Sequence, residues 1–290
     1  MTEKHIDEIS GTETTGHVWD GIRELNTPLP RWWLWTFYGT IVFAIVWTVL
    51  YPSWPLINGP VKGLLGYSTR ATLDQSLQTA KAAQSVYLQK VAATDVGDIL
   101  KDEELMRFAQ AGGQSAFKVY CTQCHGSGAA GSAGYPNLND DEWLWGGTID
   151  AIYTTIAHGI RYEQDPDTRV SEMPAFGADQ ILTSVEIRDV ANYVASLSSD
   201  PSADPQLAAA GQQIFADNCA ACHGDQGQGI QDVGAPALNN AIWLYKGGVD
   251  AIVAQVTRPQ HGVMPAWSAA LGDTTVKELA VYVYSLGGGQ

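Results

Sequence analysis

Every cysteine in the chain falls in one of two Cys-x-x-Cys-His motifs, Cys121-Thr122-Gln123-Cys124-His125 and Cys219-Ala220-Ala221-Cys222-His223, which lie 98 residues apart. Two thiols about one turn apart can bond the two vinyl groups of a porphyrin, and the imidazole that follows can reach its iron. The pattern predicts two covalently bound haem c groups on Cys121, Cys124, Cys219 and Cys222, with His125 and His223 as proximal iron ligands. A zinc site would want four convergent ligands, whereas each of these pairs stands alone within its own repeat.

The sixth iron position decides between carrying electrons and doing catalysis. Met173 and Met264 lie downstream of the two histidines, and each precedes a proline that restricts the backbone. A thioether opposite histidine raises the reduction potential and leaves no vacant site for a substrate. The rivals are His158 and His261, which would give bis-histidine iron. They stand fifteen and three residues before the two methionines, an unequal spacing that argues against equivalent roles. Met106 reads as a core gap-filler, and His5 and His17 as surface residues.

These ligands sit in a wider repeat. Gly113, Gln114 and Phe117 answer to Gly211, Gln212 and Phe215; Pro136, Leu138, Asn139, Trp143 and Leu144 answer to Pro236, Leu238, Asn239, Trp243 and Leu244. Each Met-Pro pair leads to a helix-like stretch, with Thr183-x-x-Glu186 and Thr275-x-x-Glu278 expected as capping boxes. The apolar stripes Ile187, Val190, Val194, Leu197 and Val276, Leu279, Ala280, Val283 are expected to pack on the other helix of the same domain and on the macrocycle. Loop closure favours each methionine serving the haem of its own repeat. Two pseudo-symmetric domains could instead exchange them.

Upstream, residues 32–61 carry no charge, and the twenty from Trp32 to Tyr51 would span ~30 Å as a helix, the thickness of a hydrocarbon core. Aromatic residues gather at both ends, as at headgroup layers. The polar residues before the span, and the lack of an Ala-x-Ala-like site after it, favour a permanent anchor over a cleaved signal. Flanking charge does not set the topology; attachment of haem to thiols is expected outside the cytoplasm, so the N-terminus is expected inside. The organisation expected is mainly α: a cytoplasmic segment at 1–31, a transmembrane anchor at 32–54, a helical linker at 55–111, and haem domains at 112–199 and 207–288. In the linker, Leu73, Leu77, Ala80, Tyr87 and Val91 form a stripe that could lie on the haem domain or on a partner subunit.

The net charge of −15 disfavours nucleic acid as a partner and suits encounter with a basic donor protein. From Gln114 onward there are 19 acidic against 7 basic side chains.

The stretch from His17 to Trp33, containing Trp19-Asp20-Gly21-Ile22 and Pro28-Leu29-Pro30-Arg31-Trp32-Trp33, followed by one span and two haem motifs, closely resembles the dihaem subunit of cbb3-type cytochrome c oxidases, the CcoP or FixP family. The resemblance covers essentially the whole chain and no family motif is missing. It implies two tandem class I cytochrome c-type domains in an inner-membrane, proton-pumping haem-copper oxidase. Electrons would enter from a donor cytochrome c and pass toward a monohaem cytochrome c subunit and a separate haem-copper catalytic subunit. It also implies that Cys121, Cys124, Cys219 and Cys222 carry thioether bonds, and that Met173 and Met264 are distal ligands. A dihaem peroxidase, or the anchored cytochrome of another periplasmic oxidoreductase, shares the haem motifs but not the N-terminal segment.

Overall fold

Pro30 opens the first helix and Pro52 closes the region that follows it, so the uncharged stretch has one helix between two proline stops. The computed structural model describes residues 5–287; the expected bounds at 1 and 288 lie outside the described residues. The described residues form two compact units that divide between Ala83 and Gln84.

The first unit begins with an antiparallel hairpin, β1 (Thr14–Trp19) and β2 (Ile22–Leu25), turned by Asp20 and Gly21, both at positive φ. That pair is the signature of a tight hairpin turn. Helix α1 (Arg31–Leu50) has no buried residue. Its threonines Thr36, Thr40 and Thr48 donate back to carbonyls of the preceding turn, which pairs their hydroxyls within the helix. A small ladder, β3 (Pro55–Leu56) with β4 (Gly59–Pro60), follows. Helix α2 (Thr69–Ala93) begins in this unit and ends in the second.

The predicted stripe of α2 divides. Val91 is fully buried and Tyr87 packs on the core of the second unit, whereas Leu73 and Leu77 are exposed. After the short α3 (Val96–Ile99), Asp102 caps α4 (Glu103–Tyr120) by accepting from the amides of Glu104 and Leu105. Residue 111, the expected end of the linker, falls within α4, the helix that leads into the first haem motif.

The remaining elements are α5 (Thr122–His125), α6 (Ile149–His158), α7 (Ser184–Leu197), α8 (Pro205–Asn218), α9 (Ala220–His223), α10 (Val249–Thr257), α11 (Ser268–Leu271) and α12 (Asp273–Tyr284). They form two cores. The first joins α4 and α6 to α12; the second joins α7 to α8 and α10.

This corrects the expected packing, in which each terminal stripe served its own repeat. Seven residues, Ser198 to Asp204, connect α7 to α8, and the pair closes as a local helical hairpin. Buried Asn192 holds that turn, donating to the Arg188 carbonyl and accepting from the Asp204 amide. Closing this short loop costs less chain entropy than bringing α7 back to α4, more than sixty residues earlier. With α7 taken by α8, α4 is left for α12. The repeats at 112–199 and 207–288 thus contribute halves to each core.

Glycine marks both crossings. A Cβ at Gly113 would stand 2.0 Å from the Glu278 carbonyl oxygen of α12, and one at Gly211 would stand 2.1 Å from the Asp189 carbonyl oxygen of α7. Four residues on, Phe117 packs against Tyr282 and Phe215 against Tyr193, at centroid distances of 5.3 and 5.2 Å.

Of the two expected capping boxes, Thr183 with Glu186 is present in full. Thr275 with Glu278 is not. Helix α12 starts two residues before Thr275, after Gly272, which places Glu278 inside the helix and turns it toward Gly112.

Candidate functional site

Each Cys-x-x-Cys-His motif starts where a helix stops. The amide of Cys121 closes α4 onto the Phe117 carbonyl, and Cys219 does the same for α8 on Phe215. A single following turn, α5 or α9, then sets the second cysteine and the histidine, and ends at a glycine with φ of +78°. The two motifs adopt the same geometry.

Both histidines are oriented alike. His125 Nδ1 lies 3.1 Å from the Pro136 carbonyl oxygen, and His223 Nδ1 lies 3.0 Å from that of Pro236. A carbonyl can only accept, so Nδ1 carries the proton and Nε2 presents its lone pair. Burial lowers the pKa of both imidazoles below the ordinary value, the backbone bond opposing it only in part. Neutral imidazole with a free Nε2 is the state that binds a metal.

Burial also pushes the Cys121 and Cys219 thiols up to about 11. Cys124 and Cys222 are exposed, and no cysteine is paired in a disulfide. Among the described residues, the one cluster of three metal-ligand side chains is His158, Asp165 and Asp167, which includes no cysteine, so no zinc-like set forms around either pair.

His125 opens on a cavity whose wall is almost wholly apolar. Its walls include Phe117, Cys121, Trp143, Ile156, Met264 and Trp267. Met173 is absent from that wall. It packs instead in the second core with Cys219, Leu238 and Trp243. Met264 thus shares a cavity with His125, and Met173 packs on the same core as Cys219 of the second motif. This packing favours the exchanged pairing over pairing within each repeat, for the same reason as the helices: each Met-Pro segment leads into the helix that has crossed over.

Neither rival histidine lines the first cavity. His158 Nδ1 faces Asp165 at 3.3 Å, and His261 Nε2 accepts the Met173 amide at 3.1 Å. Met106 packs on the first core, and His5 and His17 are exposed, as expected.

The cavity suits an iron porphyrin on three observations. Its wall is mainly apolar, an imidazole and a thioether are brought to it, and the Trp143 indole N–H is buried without a partner. An orphaned buried donor is costly unless a ligand supplies an acceptor, and the carboxylates of a haem are acceptors. Trp143 had been visible only as a tryptophan kept in both repeats; its unpaired N–H required coordinates.

Comparisons with known proteins agree with this geometry. Residues 11–58 match the N-terminal domain of cytochrome oxidase-cbb3, FixP. Residues 108–194 and 206–283 each match cytochrome c oxidase, cbb3-type, subunit III. The chain is similar to the cbb3-type cytochrome c oxidase subunit FixPc of Rhizobium leguminosarum bv. viciae, 59% identical over the full length of both. It is also similar to FixP of Rhizobium meliloti (strain 1021), 55% identical over 99% of this chain and 98% of that one. Against CcoP of Cereibacter sphaeroides the identity is 52%, over 96% and 95%.

Proposed function

The chain belongs to the cbb3-type cytochrome c oxidase subunit III family, and from that premise we propose that it is the oxidase's membrane-anchored dihaem electron carrier. Two haem c groups are held covalently, one by Cys121 and Cys124, the other by Cys219 and Cys222. His125 and Met264 would hold the first iron, and His223 and Met173 the second. When bound, haem c supplies a one-electron couple, and a methionine opposite histidine sets its potential high.

The residues of the chain do the rest. The Pro136 and Pro236 carbonyls hold each imidazole in its ligating tautomer. The apolar walls keep water from the first site, and Trp143 offers its indole N–H to a carboxylate of the macrocycle. With a histidine and a methionine holding each iron, no position would be left open for a substrate, which distinguishes this reading from a dihaem peroxidase.

Helix α1 anchors the chain in the bacterial inner membrane, with the N-terminus cytoplasmic and both haem sites periplasmic, where thiol attachment is expected. The acidic balance beyond Gln114 suits a basic cytochrome c as donor. Electrons then pass toward a monohaem cytochrome c subunit and the haem-copper catalytic subunit; no nucleic acid is involved. The observation that supports this reading is that Met264 lines the cavity on which His125 opens, while Met173 packs on the same core as Cys219.

Purification from detergent-solubilised membranes through a tag on this chain tests it. The chain should retain haem stain after denaturing electrophoresis and bring a haem-copper subunit with it. Recovery without that subunit refutes the oxidase assignment.

A further inference from the structure

Between α6 and Met173 the chain passes through Arg161, whose φ of +52° is unusual for a residue with a side chain. The bend is held from both sides. Ile160 and Met264 exchange backbone hydrogen bonds of 2.9 and 3.0 Å, and the Arg161 amide donates to the Arg169 carbonyl at 2.8 Å. So held, the side chain leaves its own loop. Nε donates to the Gly262 carbonyl at 2.7 Å and Nη1 to the Ser171 carbonyl at 3.0 Å.

Those two acceptors have corresponding places in the repeat. Ser171 stands two residues before Met173, and Gly262 two residues before Met264. One guanidinium therefore spans the two segments that carry Met173 and Met264. A planar fork with fixed donor directions can do this; a single ammonium cannot hold both carbonyls in the same way. The group is half-buried, with its charge disfavoured by burial, and makes no ion pair among the described residues. Tyr245 and Glu172 offset the cost of burying this charge in part, and its hydrogen bonds run to the two main-chain carbonyls. The Met173 amide, bonded to His261, gives a second tie between the same segments.

We propose that Arg161 is a positioning residue shared by both haem sites, fixing Met173 and Met264 together and so coupling the two iron ligations through one side chain. This rests on methionine being the sixth ligand at both irons. Loss of the clamp should slacken both thioethers, and loss of its positive charge should favour the ferric state at both sites.

The test uses Arg161→Gln and Arg161→Lys in the full chain within its oxidase complex. The far-red methionine-to-ferric-iron charge-transfer band is followed through the two steps of a redox titration. In Arg161→Gln, covalent haem should be unchanged while the band weakens at both haems and both midpoint potentials fall; Arg161→Lys should restore part of each. Unaltered bands and potentials at both haems, or a change confined to one, overturn the proposal. If the glutamine variant does not accumulate, the lysine variant decides, because a full-strength band at either haem contradicts the shared clamp. Absence of the band from the unmodified protein would instead refute methionine ligation itself.

Discussion

Replacing Glu278 by glutamine should stabilise the folded chain in alkaline solution and leave it little changed in acid. Glu278 is 7% exposed on α12, facing Gly112, and burial pushes its carboxyl up from 4.5 to about 7. The neighbouring Lys277 does not offset it, being bonded to the Ala92 carbonyl at 3.1 Å and to Asp273 at 3.0 Å. Below the unfolded value both states hold the proton and nothing is lost. As pH rises from there to the folded value the unfolded chain releases its proton first, so stability falls, and above about 7 the penalty is constant. The full difference corresponds to at most ~3 kcal/mol, and partial solvation at the helix edge lowers the expected gain to about 1–2 kcal/mol. Urea denaturation followed by haem absorbance at about pH 5 and about pH 8 measures it. Equal midpoints for variant and parent at the higher pH would refute the reasoning, as would a variant less stable there.

Two further substitutions test the crossings and the cavity. Gly113→Ala and Gly211→Ala should each destabilise by about 1–3 kcal/mol, since the added carbon meets backbone on the opposing helix; denaturant midpoints of each variant check this, and an unchanged midpoint would place the helices farther apart. Trp143→Phe keeps an aromatic ring, though a smaller one, and removes the orphaned donor. It should shift the potential of the His125 haem and leave the other in place, as read by redox titration.

The local chemistry was legible because it is carried by contiguous residues. Cys-x-x-Cys-His, the Met-Pro pairs and the uncharged span each report on a segment a turn or a helix long, and the Thr183 cap formed as its spacing predicts. What sequence pattern missed is which copy of a repeat meets which. The stripe Val276, Leu279, Ala280, Val283 is buried as expected, yet nothing in it says that its partner is α4 rather than α8, because the two helices carry the same Gly-x-x-x-Phe. The choice came from the short α7 to α8 connection, whose closure is favoured over the longer loop. Glu278 was misread for a related reason: a Thr-x-x-Glu spacing is a cap only where the helix begins at that threonine. Arg161 gave no signal, since its partners are main-chain carbonyls of two distant segments.

The crossed pairing is tested most directly in a chain with Cys219 and Cys222 both changed to alanine, so that the one covalent haem left is on Cys121 and Cys124. Adding Met264→Ala should abolish the far-red band of the remaining ferric haem, and adding Met173→Ala should leave it. Loss of the band with Met173→Ala, and its survival with Met264→Ala, would contradict the account.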